Sequence, residues 1–185
     1  MDCDARIDAV LKRMAADGID LLIACSNGLQ MPDRPDPVVH LSGYRSLGES
    51  FVLLYRDGTS KLIVSPAADE ERAKVLKGSQ ACIATDDLAS TLTREFSNCR
   101  RLAGSVAIVG IDATPHILAE RLIAMHEAAA LSFDDAFYSA RGRKTAAEIT
   151  RARRAAEIAE LGLERLLELA RPGMRECDLA VELNC

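Results

Sequence analysis

The 185-residue sequence has no tryptophan and only three tyrosines and four phenylalanines, so aromatic side chains make up 4% of it. Surfaces that stack bases or sugars need several such rings, and there is little here to build one from. Nor is there an apolar run approaching the roughly 18 residues of a bilayer-crossing helix, so no membrane partner is expected. The opening, MDCDARIDAV, is acidic and amphipathic instead of basic and then apolar, unlike a secretory leader, and the expected location is the cytoplasm. Six cysteines, at 3, 25, 82, 99, 177 and 185, include no Cys-x-x-Cys pair, and the three histidines at 40, 116 and 126 are far from most of them. Free thiols are expected in place of disulfides or a Cys/His metal site.

The short patterns that mark common chemistries are missing too. IVGIDATPHI (108–117) has the outline of a nucleotide-binding strand, loop and helix, but it has one glycine where the dinucleotide fingerprint needs three. There is no Gly-Lys-Ser/Thr phosphate cradle and no Gly-x-Ser-x-Gly nucleophile elbow. His116 and His126 fall on one predicted helix and read as structural. The acids of ADEER (68–72) and of Asp86-Asp87 stand where helices are predicted to begin, a place that favours carboxylates without any ligand. Residues 141–154, RGRKTAAEITRARR, are strongly basic, but they carry no aromatic side chain and the whole chain has a net charge of −5, so no nucleic-acid partner is expected. No catalytic residue and no metal ligand set is expected within these residues.

What is present is an alternation of strands and helices. Ile7, Val10, Leu11 and Met14 recur at helical spacing before Gly18. IDLLIAC (19–25) is an apolar run of strand length, the mark of a strand covered on both faces. A long loop rich in proline, glycine, asparagine and aspartate comes next, at 26–37. SFVLLY (50–55) and SKLIVS (60–65) flank Asp57-Gly58, the signature of an antiparallel hairpin. A helix is predicted over 66–78, a short strand over 80–85 and a helix over 86–98 with an aspartate cap. A buried strand at 105–112, a helix at 114–128 and a last strand at 131–136 complete the set. The fold expected is α/β: a layered domain with a mixed sheet flanked by helices, over residues 1–140.

Residues 141–185 have another character, with 9 basic and 8 acidic groups against 14 and 20 in residues 1–140. From Thr145 to Ala170 one apolar stripe runs through Ile149, Ala152, Ala156, Ala159, Leu163, Leu166 and Ala170, stepping three and four alternately. Ile158, Leu161 and Leu169 lie off it. Ile149, Ala156, Leu163 and Leu166 are therefore the candidate packing positions of a long C-terminal helix with more apolar surface than one neighbour covers.

Several of these segments, in this order, resemble the creatinase, prolidase and Xaa-Pro aminopeptidase family of pita-bread metallohydrolases. The residues that carry the resemblance are Arg141-Gly142-Arg143-Lys144-Thr145, Glu148-Ile149, the alanine-rich helix, Pro172-Gly173 and Glu176. Upstream, residues 6–18, VVHLSGY (38–44) and LLYRDGTSKLIVSPAADEERA (53–73) are similar to the family's first helix, its Tyr-Leu-Thr-Gly-Phe segment and its hairpin with the next helix. The resemblance implies a non-catalytic N-terminal domain succeeded, over 141–185, by a linker and the first helices of an incomplete catalytic domain. It implies a parent metallohydrolase, such as an aminopeptidase, that uses two divalent metal ions. The ligands of those ions would lie in the missing catalytic domain, leaving these 185 residues inactive and without a cofactor. It further implies a homo-oligomer, a dimer, whose N-terminal domain narrows access to an active site. His40, Tyr44, Arg45 and Glu49 are the candidates for that access role, Arg45 by pairing with a carboxylate and His40 or Tyr44 by donating a hydrogen bond. The alternative is a metal-free protein-interaction module of the same lineage.

Overall fold

A computed structural model describes residues 3–29, 36–75, 81–100, 105–125 and 130–184. The chain divides into two compact units, Met1–Arg143 and Lys144–Cys185. The first is built on a six-stranded mixed sheet of order β4-β3-β2-β1-β5-β6. Its strands are β1 (Leu21–Ser26), β2 (Ser50–Tyr55), β3 (Ser60–Val64), β4 (Ala81–Ala84), β5 (Val106–Val109) and β6 (Ala130–Ser132). β2 runs antiparallel to both β1 and β3, while the pairs β1–β5, β5–β6 and β3–β4 are parallel. All five other strands therefore run one way and β2 alone runs back.

Period-two alternation divides each strand between two cores. On one face Leu22, Ala24, Val52, Leu54, Leu62, Val64, Ala107 and Val109 pack with Val10 and Met14 of α1 (Cys3–Ala16), Val38 and Leu41 of α2 (Pro37–Ser42), Ala73 of α3 (Glu70–Val75) and Phe137 of α6 (Asp134–Gly142). On the other, Leu21, Ile23, Phe51, Leu53, Ile63, Val106 and Ile108 meet Leu88 and Leu92 of α4 (Leu88–Arg100) and Leu122 of α5 (His116–Met125). Every residue of β1 is buried, as its unbroken apolar run predicts.

The local signals act where the sequence puts them. In the hairpin, Gly58 adopts φ 86° and the Asp57 carboxylate accepts the Thr59 amide at 2.8 Å, closing the turn. Asp87 caps α4 by accepting the Ser90 amide at 3.0 Å. Cys25, Cys82 and Cys177 are free thiols, and burial pushes the Cys25 thiol up to about 12.

Three segments differ from the sequence reading. The strand expected over 131–136 stops at Ser132, and α6 starts at Asp134. Phe133 and Phe137, four apart and both buried, share a face on a helix as they would on a strand, and the two aspartates between them favour the N-terminal turn of a helix. The domain consequently runs past 136 into a helix that ends at Gly142. The helix expected over 66–78 opens with a 3-10 turn, Ala67–Asp69, and α3 is described only to Val75. The loop expected over 26–37 gives way to α2 at Pro37, capped by Asp36, which accepts the Val39 amide at 3.0 Å. Residues 30–35, the end of the 66–78 helix, and His126 with the end of the 114–128 helix lie outside the described residues.

The second unit consists of α7 (Ala146–Leu169) and α8 (Glu176–Asn184). Thr145 and Glu148 form a reciprocal cap: the Glu148 amide donates to the Thr145 hydroxyl and the Thr145 amide to the Glu148 carboxylate, at 3.2 and 2.8 Å. Of the packing positions, Ile149 and Leu163 are exposed, and so are Ala156 and the off-stripe Ile158 and Leu161; Leu166 is half-buried.

Candidate functional site

The ends of β1, β3 and β5 and the start of β2 lie on one rim of the sheet, because β2 alone is reversed. His40, Tyr44, Arg45 and Glu49 all belong to the chain between β1 and β2 that crosses this rim. His40 is 7% exposed, with its ring edge-on to Phe137 at a centroid distance of 5.4 Å. Tyr44 is 1% exposed, and burial pushes its phenol well above the usual range. Both rings are buried in this chain. Arg45 and Glu49 are partly exposed, on either side of Leu47, which is 65% exposed.

A buried carboxylate holds this segment in place. Asp69, fully buried, accepts the Leu47 amide and faces the Ser46 hydroxyl, each at 3.0 Å, while its other oxygen accepts from Arg72 at 2.9 Å. Burial by itself would raise this carboxyl. Hydrogen bonds from the Tyr44 hydroxyl, the Leu47 amide and Ser46, with the Arg72 charge, outweigh that and hold it below the usual carboxylate range. The Arg72 guanidinium lies over the Tyr44 ring, 5.8 Å from its centroid. The Ser46 hydroxyl has a second acceptor, the Ser65 carbonyl, also at 3.0 Å, and the Ser65 amide donates to the Glu49 carbonyl at 3.1 Å. Gly48 is pressed between backbones: a Cβ there would lie 2.7 Å from the Ser65 carbonyl oxygen, and one on Gly28 would lie 2.6 Å from that of Gly48. Loops 26–29, 43–49 and 65–69 are thus locked to one another.

Further along the rim, a cavity of about 730 Å³ opens between the ends of β1 and β5. Cys25, Ser26, Asp36, Gly110, Asp134 and Tyr138 are among its lining residues. It sits where the connections from two adjacent parallel strands leave to opposite faces of the sheet, towards α2 after β1 and towards α5 after β5, the usual origin of such a crevice. Two of the four carboxylates that line it among the described residues serve the fold. Asp36 accepts from the Ser26 hydroxyl at 2.6 Å while capping α2, and Asp134 accepts the Gly110 amide at 3.0 Å. Gly110, at φ 76°, has no room for a side chain, since a Cβ would stand 2.7 Å from the Cys25 carbonyl oxygen.

A metal pair does not fit what is here: among the described residues no group of three or more histidine, cysteine or acidic side chains is placed to hold an ion. Among them, too, no helix is long and apolar enough to cross a membrane.

Asp69 escapes a reading of the sequence. It stands among acids at a predicted helix start, and its partners lie 22 and 23 residues upstream. The alternation of Tyr44, Ser46 and Ser50 buried with Arg45, Leu47 and Glu49 outward was the available signal, obscured by the small polar residues between.

No family model and no curated protein matches the sequence. Solved structures do. The prolidase from Pyrococcus horikoshii OT3 superposes with a TM-score of 0.71 at 20% identity over 97% of this chain. The X-Pro aminopeptidase from Thermotoga maritima gives 0.75 at 20% identity over 96%. The chain spans about half the length of these proteins, 47% of each. The creatinase/prolidase N-terminal domain of an X-Pro dipeptidase from Streptococcus pyogenes matches 75% of this chain with 98% of its own, at a TM-score of 0.51 and 16% identity. The fold of this chain is that of the creatinase/prolidase N-terminal domain, a mixed sheet flanked by helices, continued by a long C-terminal helix.

Proposed function

We propose that this chain is the non-catalytic N-terminal part of a metal-dependent hydrolase of the Xaa-Pro peptidase and creatinase type, with a role in dimerisation and in access to an active site carried elsewhere. One observation carries the reading: nearly the whole chain superposes on prolidase and X-Pro aminopeptidase structures, yet it accounts for only 47% of each. Its order of segments, from the hairpin through Lys144-Thr145 and Glu148-Ile149 to Pro172-Gly173, supports the same parentage. The two divalent ions would be held by residues beyond this chain, whose own described side chains do not form a cage. The access role falls to the rim, and within it to Arg45 and Glu49, the members of the expected set that solvent reaches.

The test is to read the coding sequence past the Cys185 codon, then express the 185 residues alone and joined to the downstream residues. The reading expects two Asp, one His and two Glu downstream, with Xaa-Pro or amidino hydrolysis that needs a divalent metal in the longer protein only. Turnover by the 185 residues alone would overturn it. A downstream pita-bread domain without those ligands would instead favour a protein-interaction module.

A further inference from the structure

We propose that the cavity between the ends of β1 and β5 binds a small organic cation, an ammonium group carried on an apolar body. The inference goes beyond the parent-enzyme reading and does not rest on it, because every described residue lining the cavity lies in the first unit. Size and place suit a ligand. A volume of about 730 Å³ falls within the roughly 300–1,000 Å³ of sites for small organic molecules. The position, where two adjacent parallel strands send their connections to opposite faces, is where open α/β sheets receive ligands. Leu29, Pro37 and Ala113 supply apolar walls, and Tyr138 adds an aromatic ring, a surface that attracts ammonium groups.

The polarity of the cavity selects the occupant. A crevice at this place in a sheet commonly takes a phosphate, held by backbone amides. Here carboxylates have taken such amides: Val39 donates to Asp36 and Gly110 to Asp134, each at 3.0 Å. Asp112 and Asp135, both exposed, also line the cavity, and among the described residues no lysine, arginine or histidine does. Negative charges beside apolar walls repel anions and concentrate a cation. Their field reaches the buried Cys25 thiol: burial raises it most, and the Asp134 and Asp112 charges raise it further. A bare metal ion does not fit, because among the described residues no three such side chains converge on one point. The positive charge must therefore arrive on a body that the apolar walls can hold.

The test titrates the isotope-labelled 185-residue chain with three probes of similar shape, phenethylamine, phenethyl alcohol and phenylacetate, and follows backbone amide shifts at neutral pH. The amine should give saturable shifts confined to residues around the cavity, such as Asn27, Gly110 and Asp135. The neutral alcohol should bind about 10-fold more weakly, and the acid should not bind. Added salt should weaken the amine and leave the alcohol unchanged. Asp112→Asn with Asp135→Asn removes two exposed lining charges and should weaken the amine about 10-fold without changing the alcohol. Glu160→Gln with Glu164→Gln removes as much charge from the exposed surface of α7 and should change neither. Circular dichroism checks that each variant keeps its fold. No saturable shift, shifts spread over the whole chain, equal affinity for amine and alcohol, or an Asp112/Asp135 pair of changes without effect would each overturn the proposal.

Discussion

In Asp69→Ala the carboxylate that joins residues 46, 47 and 72 disappears while the fold around it stays apolar and closed. The Leu47 amide loses its acceptor in a partly buried site, whereas the Ser46 hydroxyl still has the Ser65 carbonyl at 3.0 Å. A buried donor left unmatched costs about 1–3 kcal/mol, and a hydrogen bond to a charged group contributes about 1.5–3 kcal/mol. The ion pair with Arg72 adds little, because the arginine side chain is 57% exposed and screened. A total near 3 kcal/mol is expected, which for a chain of this size lowers the melting temperature by roughly 6–12 °C. Asp69→Asn, which keeps an acceptor without the charge, should fall between the two. The acid limb gives an independent check. The folded carboxyl titrates below its unfolded value, so its contribution is full above the unfolded value and disappears as pH falls through the folded one. The stability gap between wild type and Asp69→Asn should therefore be constant near neutrality and close in acid. Thermal and urea unfolding monitored by circular dichroism at several pH values measures both effects. An Asp69→Ala variant within about 0.5 kcal/mol of wild type, the scatter of ordinary surface changes, would refute the view that this carboxylate locks the rim.

Phe137→Ala should cost about 3–5 kcal/mol in urea unfolding, because a fully buried ring that fills the space between His40 and Tyr138 is replaced by a void. Thr145→Ala removes the acceptor for the Glu148 amide and should lower the stability of α7 by about 1 kcal/mol, read as faster amide exchange confined to its first turn. Leu163→Glu with Leu166→Glu should shift the chain towards smaller species in sedimentation without loss of helicity, since glutamate is a good helix former; an unchanged profile would show that the α7 stripe does not mediate association.

The strands announced themselves because burial on both faces demands an unbroken apolar run, and β1 and β5 have one. The hairpin was plain from Asp57-Gly58, and α7 from a stripe long enough to fix its period. The start of α6 was hidden because Phe133 and Phe137 are consistent with a strand or a helix until the sheet's edge is known, and only then does Asp134 turn the chain. The burial of His40 was not legible locally, because it depends on what packs on the ring, and Phe137 comes from nearly a hundred residues away. The same non-locality hid the clasp, whose donors and acceptor come from separate loops.

One consequence of the reversed strand β2 concerns how such a domain can change over time. Its reversal brings the chain in at the rim where its neighbours leave, so exchange of outward side chains there can alter the outer contour without shifting any strand's register. Loops 26–29 and 43–49 lack latitude in length, because the Asp69 bonds and the Gly28–Gly48 contact tie them to one another and to the sheet. Change over time should therefore be held there to side-chain exchange at outward positions such as Leu29 and Leu47.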